Sequence, residues 1–475
     1  MNSKKIMLIG LGPHAKRIYI RGLRRLGLFP ILIIDLLTKK QAVEAYLQEH
    51  CIPAYTYFVP DEEKDRDTLS LQVSLNLDRL VKKHQITHAI ISTEPKAHYA
   101  YLQYLIVKKI SVLTDKPITC PKNVCNTKEN ANLIKKQFQH LLELVDKHKT
   151  PVTVQCQRRY DRRYQHITSL VSDLMKKYEL PVHNLQINHS DGSFYTPEEI
   201  LERENHPYKY GYGKLFHSGY HFIDLASMML CFQDLPAHKR PDSFHLQSAH
   251  YSPTDQLFCM DEPFYQKIFH KKSYHKTFEA LRQGAFQECG ELDFIATLQF
   301  TRNDKVVTTC SLNLLSSGFS RRTWAEQAAD TYKNNGRVRH ESIQLTMGPL
   351  FNIQVHSYQS CEIKDRNNTA YDHNSVGGLD HYQIHIFRNT EIIGGKPVEV
   401  IEGKDLFPDA ITQDASFIGH NETSRELCLD NFLKGINNRS SLIEQKLTID
   451  ILTASYLIIV KKREGKFPCV KAPIS

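Results

Sequence analysis

No two cysteines stand at C-x-x-C spacing anywhere in the 475 residues, and the eleven present are odd in number and widely scattered. That excludes a dense disulfide framework and a thioredoxin-like redox pair, and it suits reduced thiols in a cytoplasmic protein. Cys120 and Cys125 read as structural. Long apolar runs are missing as well. Asp35 interrupts the longest candidate, Phe29 to Leu37, far short of the roughly 20 residues a spanning helix needs, so no membrane partner is expected. Lys4 and Lys5 before Ile6 to Gly12 imitate the start of a secretory signal, but an Arg-rich amphipathic helix follows instead of a small-residue cleavage site. A cytoplasmic location is the expectation.

There is also no long basic block. Lys and Arg number 61 against 52 Asp and Glu, a net charge of +9, but the cations are dispersed, which argues against a nucleic-acid arm. Arg17, Arg21, Arg24 and Arg25 gather along the first helix, as a solvated face or as a docking surface. Neither internal repeats nor low-complexity segments occur, and the length leaves room for about two to four domains.

What is present begins at Lys4. Ile6 to Ile9 is a short run apolar on both faces, the pattern of a buried parallel strand. Gly10-Leu11-Gly12-Pro13-His14-Ala15 follows with G-x-G-x-x-A spacing. Gly10 suits a tight turn, Gly12 would let the backbone approach a pyrophosphate, and Ala15 would let the next helix pack closely with its amino end toward the phosphates. Pro13 and His14 belong to the same cofactor loop. After a stop at Gly27, Ile31 to Ile34 forms a second strand ending on Asp35. A carboxylate there accepts hydrogen bonds from the adenosine ribose and repels a 2′-phosphate. The cofactor is therefore expected to be NAD, with NADP disfavoured.

Strand-like and helix-like stretches keep alternating: Ala54 to Val59, Leu71 to His84, Thr87 to Ser92, Lys96 to Lys108, Ile110 to Thr114. This is the rhythm of a doubly wound parallel sheet, an α/β Rossmann fold. Ser92-Thr93-Glu94-Pro95 ends the fourth strand and is expected to face the cofactor, with His98 close behind. Asn126 and Glu129 suggest a capping box opening a helix to about Lys147. Val152 to Gln157 supplies a last strand, so the NAD-binding domain is expected at 1–157 and a substrate domain at 158–475.

Thr114-Asp115-Lys116-Pro117, behind that loop and a Thr93-x-Pro95-x-x-His98 segment, resembles the Gfo/Idh/MocA family, the relatives of glucose-fructose oxidoreductase and inositol dehydrogenase. The family triplet is usually Glu-Lys-Pro, so Asp115 is a departure. The resemblance implies that Lys116 and Pro117 lie beside the nicotinamide and that Lys116 hydrogen-bonds the reacting hydroxyl. A cation there would stabilise developing alkoxide character. Further on, Arg158-Arg159-Tyr160 falls where similar members place residues near substrate. Gly213-Lys214-Leu215-Phe216-His217-Ser218-Gly219-Tyr220-His221-Phe222-Ile223-Asp224 resembles the family's Asp-x-Gly-x-His-x-x-Asp helix. His221 matches its catalytic histidine, able to take the hydroxyl proton, and Asp224 would orient the helix end or the imidazole. His217 stands where the family commonly has Asp. If this stretch is helical, His217 and His221 share a face and both are candidates for the reaction, with Arg159, Tyr160, His217 and Asp224 the candidates for holding substrate. His217, His221 and Asp224 also have ligand spacing, but no further ligand is evident and no metal is expected.

The second half is less legible. Glu291 to Phe300, Lys305 to Leu314 and Ser342 to Val355 read as strands of the large open, mainly antiparallel sheet that the resemblance implies for an α+β second domain. Residues 238–287 look like an insertion. Asn421 to Lys434 and Ser441 to Lys462 read as amphipathic helices. The expectation is an NAD-dependent oxidoreductase acting on a secondary alcohol of a sugar, cyclitol or sugar derivative, assembled as a homo-oligomer. Two other readings stay open: an NAD-dependent enzyme that cleaves glycosidic bonds, and a cofactor-binding sensor without catalysis.

Overall fold

The computed structural model describes residues 4–204, 206–268, 274–318, 337–361, 381–407 and 420–475. The chain forms two compact units, and each is assembled from separated stretches. One comprises Met1–Pro121, Leu133–Tyr164 and Ala415–Ile449; the other comprises Lys122–Asn132, Gln165–Asp414 and Asp450–Ser475. The units are thus not the consecutive stretches 1–157 and 158–475, because the chain returns to the first unit late.

The first unit is built on a parallel sheet of β1 (Ile6–Ile9), β2 (Leu32–Leu36), β3 (Tyr55–Val59), β4 (His88–Ile91), β5 (Ser111–Thr114) and β6 (Val152–Val154). Their order is β3-β2-β1-β4-β5-β6, with every adjacent pair parallel. All four residues of β1 are buried, as a strand covered by helices on both faces must be. Each such side chain contributes about 1.5–3 kcal/mol of transfer free energy. The order reverses between β1 and β4, which makes the loops leaving those two strands the switch point of the sheet. The helix His420–Lys434 belongs to this unit, and its Cys428, Leu429, Phe432 and Leu433 join a core with Ile18, Leu23 and Tyr160. Arg25 pairs with Glu426 of that helix at 2.7 Å, and Arg21 lies 3.6 Å from the same carboxylate. Part of the arginine face of the first helix is therefore spent inside the unit.

The second unit holds a sheet of nine described strands: β7 (Asn184–Ser193), β8 (Ser243–Tyr251), β9 (Asp293–Arg302), β10 (Lys305–Ser317), β11 (Arg337–Met347), β12 (Phe351–Cys361), β13 (His381–Arg388), β14 (Val398–Glu402) and β15 (Cys469–Pro473). Their order is β14-β13-β12-β11-β7-β10-β9-β8-β15. Only the β7–β10 pair among them is parallel. Ser342 to Val355, expected as one strand, is instead the hairpin of β11 and β12, turning at Gly348 with φ +50°. The stretch 238–287 is not wholly an addition, since β8 sits inside the sheet between β9 and β15; its residues 269–273 lie outside the described residues. The helix Lys128–His148 is capped one residue later than expected: Thr127 Oγ1 accepts the Asn130 amide at 3.2 Å, while Asn126 Oδ1 accepts from Arg463 at 2.6 Å.

Candidate active site

In the first unit, the end of β1 runs into Gly10 at φ +88°, where an added Cβ would sit 2.6 Å from the Ser92 carbonyl oxygen. Glycine is required there on both counts. Pro13 opens the helical stretch at its first turn, where a missing N–H costs nothing, and Ala15 is fully buried. Around the Cβ position of Gly12 there is open space, with no heavy atom within 4 Å. Beside that space, Asp35 at the end of β2 accepts the Leu11 amide through Oδ2 and the Leu36 amide through Oδ1, both at 2.8 Å. Each carboxylate oxygen keeps a lone pair. An open approach to the Gly12 backbone and an acid with spare acceptors fit a dinucleotide, whose pyrophosphate and ribose need those two features.

The loops leaving β4 and β5 are tied together beside it. Ser92 Oγ donates to Asp115 Oδ2 at 2.8 Å, Tyr19 Oη donates to Asp115 Oδ1, and His14 Nε2 lies 3.5 Å from that oxygen. Burial pushes the Asp115 carboxyl up, but the charge of His14 and hydrogen bonds from His14, Tyr19 and Ser92 outweigh it and hold the group well below the usual carboxylate range. His98 is buried with Nδ1 2.8 Å from the Pro117 carbonyl and Nε2 3.2 Å from the Thr93 carbonyl. Burial lowers its pKa. A neutral imidazole donates once, so its proton serves the shorter contact, to Pro117. Pro95 starts the short turn Pro95–Ala97 that leads to His98. The residues on either side of the half-buried Lys116 are thus both held, Asp115 by its carboxylate contacts and Pro117 through His98.

Arg159 and Tyr160, expected at the substrate, are turned into the packing of this unit. Both are buried. Arg159 donates to the Arg439 and Glu444 carbonyls, each at 3.2 Å, and Tyr160 Oη exchanges hydrogen bonds with Ser440 Oγ at 3.1 Å and the Arg439 amide at 3.2 Å.

In the second unit the two histidines do not share one helical face. Residues Leu215–Gly219 form a wide turn in which His217 has φ −74° and ψ −111°, outside the helical region, and the α-helix begins at Tyr220. His221 lies in the first turn of that helix and Asp224 is fully buried further along it. His217 Nε2 is 3.3 Å from the Pro207 carbonyl, and its ring meets those of His206 and Tyr208 edge-on at 5.1 and 5.0 Å. The Nε2 proton therefore points at Pro207. Among the described residues, no three His, Cys, Asp or Glu side chains converge as metal ligands.

The turn is fastened by residues that sequence reasoning did not single out, one in β7 and one just before β9. Glu291 accepts the Lys214 amide through its carbonyl at 2.9 Å and the Leu215 amide through Oε1 at 2.7 Å. Gly213 makes this approach possible, since a Cβ there would come 2.2 Å from the Glu291 carbonyl oxygen. Burial raises the Glu291 carboxyl to about 7. Asp191 accepts from Lys214 at 2.7 Å and from Ser218 at 2.5 Å. The one local sign of this was Lys214 itself, a cation within an otherwise apolar and aromatic run.

Residues 42–144 match the model of an oxidoreductase family with an NAD-binding Rossmann fold, named GFO_IDH_MocA. Over that stretch the chain is similar to the Gfo/Idh/MocA oxidoreductases. Solved structures share the fold across nearly the whole chain. An aldose-aldose oxidoreductase from Caulobacter crescentus, complexed with glycerol, is 14% identical with a TM-score of 0.56, covering 99% of this chain and all of its own. An oxidoreductase from Agrobacterium radiobacter, in complex with NAD+, L-tartaric acid and magnesium, is 13% identical with a TM-score of 0.54, covering 99% and 98%. The WlbA dehydrogenase from Bordetella pertussis, in complex with NADH and UDP-GlcNAcA, is 13% identical with a TM-score of 0.53, covering 100% and 99%. Comparison with curated proteins finds no match. No helix among the described residues is long and apolar enough to cross a membrane.

Proposed function

We propose that this protein is a member of the Gfo/Idh/MocA family, an NAD-dependent oxidoreductase that transfers hydride to or from a secondary alcohol of a sugar, cyclitol or sugar derivative. The observation that carries the reading is the open face at Gly12 beside Asp35, whose carboxylate is fixed by the Leu11 and Leu36 amides. A fixed anion at the end of β2 favours the ribose diol of NAD over the 2′-phosphate of NADP. The sugar class is supported by the aldose-aldose oxidoreductase and the UDP-GlcNAcA-bound dehydrogenase that share the fold. When bound, NAD supplies the hydride acceptor.

This chain's own residues handle the alcohol. Lys116, flanked in the chain by the held Asp115 and Pro117, stabilises negative charge developing on the reacting oxygen. His221 takes the hydroxyl proton. His217 brings no carboxylate to share that work, and its Nε2 is engaged with the Pro207 carbonyl. Of the other substrate candidates, Asp224 is fully buried, and Arg159 and Tyr160 are committed to packing. The same engagement of His217 favours a second reading, a cofactor-binding sensor without catalysis. Calorimetric titration of the full chain with NAD and NADP, followed by turnover with a sugar panel, separates the two. Tight NAD binding with turnover supports the enzyme; tight binding without it supports the sensor. Tighter NADP than NAD binding overturns the cofactor assignment.

A further inference from the structure

A buried lysine anchors the turn that carries His217 and leads into the helix of His221. Lys214 is 0% exposed, and its Nζ lies 3.0 Å from His189 Nδ1, 2.7 Å from Asp191 Oδ2 and 2.7 Å from the Leu315 carbonyl oxygen. The other nitrogen of His189, Nε2, accepts from Arg339 Nε at 3.1 Å. A guanidinium only donates, so His189 Nε2 carries a lone pair. A neutral imidazole with a bare Nε2 has its proton on Nδ1, and that proton points at Lys214. Only an uncharged amine has a lone pair to receive it. The two remaining amine hydrogens then go to Asp191 and Leu315, and every donor in the chain meets an acceptor.

Adding a proton to Lys214 disturbs this order. The third N–H now needs a bare His189 Nδ1, the ring proton must sit on Nε2, and there it confronts the Arg339 N–H. The Arg339 contact is lost, and the nearest carboxylate oxygen for the displaced proton is Asp191 Oδ1 at 3.7 Å.

We propose that Lys214 is a proton-sensitive positioning residue: uncharged, it completes an Arg339–His189–Lys214–Asp191–Ser218 chain that fixes the turn Leu215–Gly219; protonated, it breaks that chain at Arg339. The groups facing it are His189 and Asp191 from β7, Asp293 from β9, the Leu315 carbonyl from β10, Arg339 from β11 and Ser218 from its own turn. Burial lowers the amine to about 8, with Asp191 and Asp293 opposing and Arg339 assisting, so the change falls near neutral pH. His189 also stacks on Phe222, ring centroids 3.9 Å apart, which couples its state to the residue after His221. The inference rests on the proposed oxidoreductase only for what His221 is held to do.

The test is amide hydrogen exchange of residues 215–222 in the full chain without ligand, from pH 6.5 to 9.5, corrected for the intrinsic rate. Protection in the wild type rises several-fold as pH passes through about 8. In Arg339→Met the rise moves to higher pH, because the assisting charge is gone and His189 Nε2 is free to hold a proton. In Lys214→Met it is absent. Protection that is flat with pH in the wild type, or an unshifted profile in Arg339→Met, overturns the proposal, and the second result decides even if Lys214→Met fails to fold. Absence of turnover with sugars would count against the oxidoreductase and leave the exchange profile as predicted.

Discussion

The Leu11 amide donates to Asp35 Oδ2 at 2.8 Å, so the acid at the end of β2 holds the glycine loop, and in the proposed NAD complex it would also receive the ribose. Replacing it disturbs two things at once. Asp35→Ser is expected to weaken NAD binding by roughly 10–100-fold, the size of a lost charge-assisted hydrogen bond of about 1.5–3 kcal/mol. NADP binding should fall far less, because a repulsive charge goes with it. Parallel titrations with both cofactors read the difference.

Asp115 gives a stability prediction with a defined sign. Its folded pKa is depressed by His14, Tyr19 and Ser92 against the opposing effect of burial. The stability it contributes is therefore fully present above the unfolded value of about 3.9 and is lost as pH falls below it toward the folded value. Asp115→Asn should be less stable than wild type by about 2 kcal/mol at pH 7. The gap should narrow below about pH 4, as urea unfolding across that range would show.

Glu291 runs the other way. Burial raises its folded pKa to about 7, above the unfolded value of about 4.3. The native state then holds a proton that the unfolded chain has released, and the stability this confers declines as pH rises from about 4.3 toward 7. Glu291→Gln cannot lose that proton. Melting temperatures of the two proteins should therefore converge, or cross in favour of the variant, between pH 5 and pH 8. A constant difference across that interval would contradict the assignment.

The first unit was readable because its signals are local. Buried strands such as Ile6 to Ile9 are apolar on both faces, and Gly10, Asp35 and Lys116 sit at strand ends where sequence position alone implies their surroundings. The second unit hides its determinants in long-range pairing. The contacts that hold Lys214 come from β7, β10 and, through His189, β11, separated by up to 150 residues, and no spacing rule joins them. His217 and His221 are four apart and looked like one helical face, but the wide turn at Leu215–Gly219 is set by Glu291 and Asp191 and leaves no periodic trace. Gly348-Pro349 did mark the β11–β12 turn, and the apolar run through it concealed the break. Arg159 and Tyr160 follow a strand end, as substrate residues often do, yet they serve the return of the chain at Arg439 to Glu444.

The proposed hydride transfer between an alcohol and NAD, with Lys116 and His221 handling the hydroxyl, is tested most directly by absorbance at the reduced-nicotinamide band. The full chain is incubated with NAD and a pooled panel of cyclitols, sugars and sugar acids, beside Lys116→Ala and His221→Ala. The account predicts turnover in the wild type, reduced about 10²–10³-fold in Lys116→Ala and about 10²–10⁴-fold in His221→Ala, with NAD binding retained in both. Turnover that persists unchanged in either variant, or NAD bound without turnover of any pooled substrate, would contradict it.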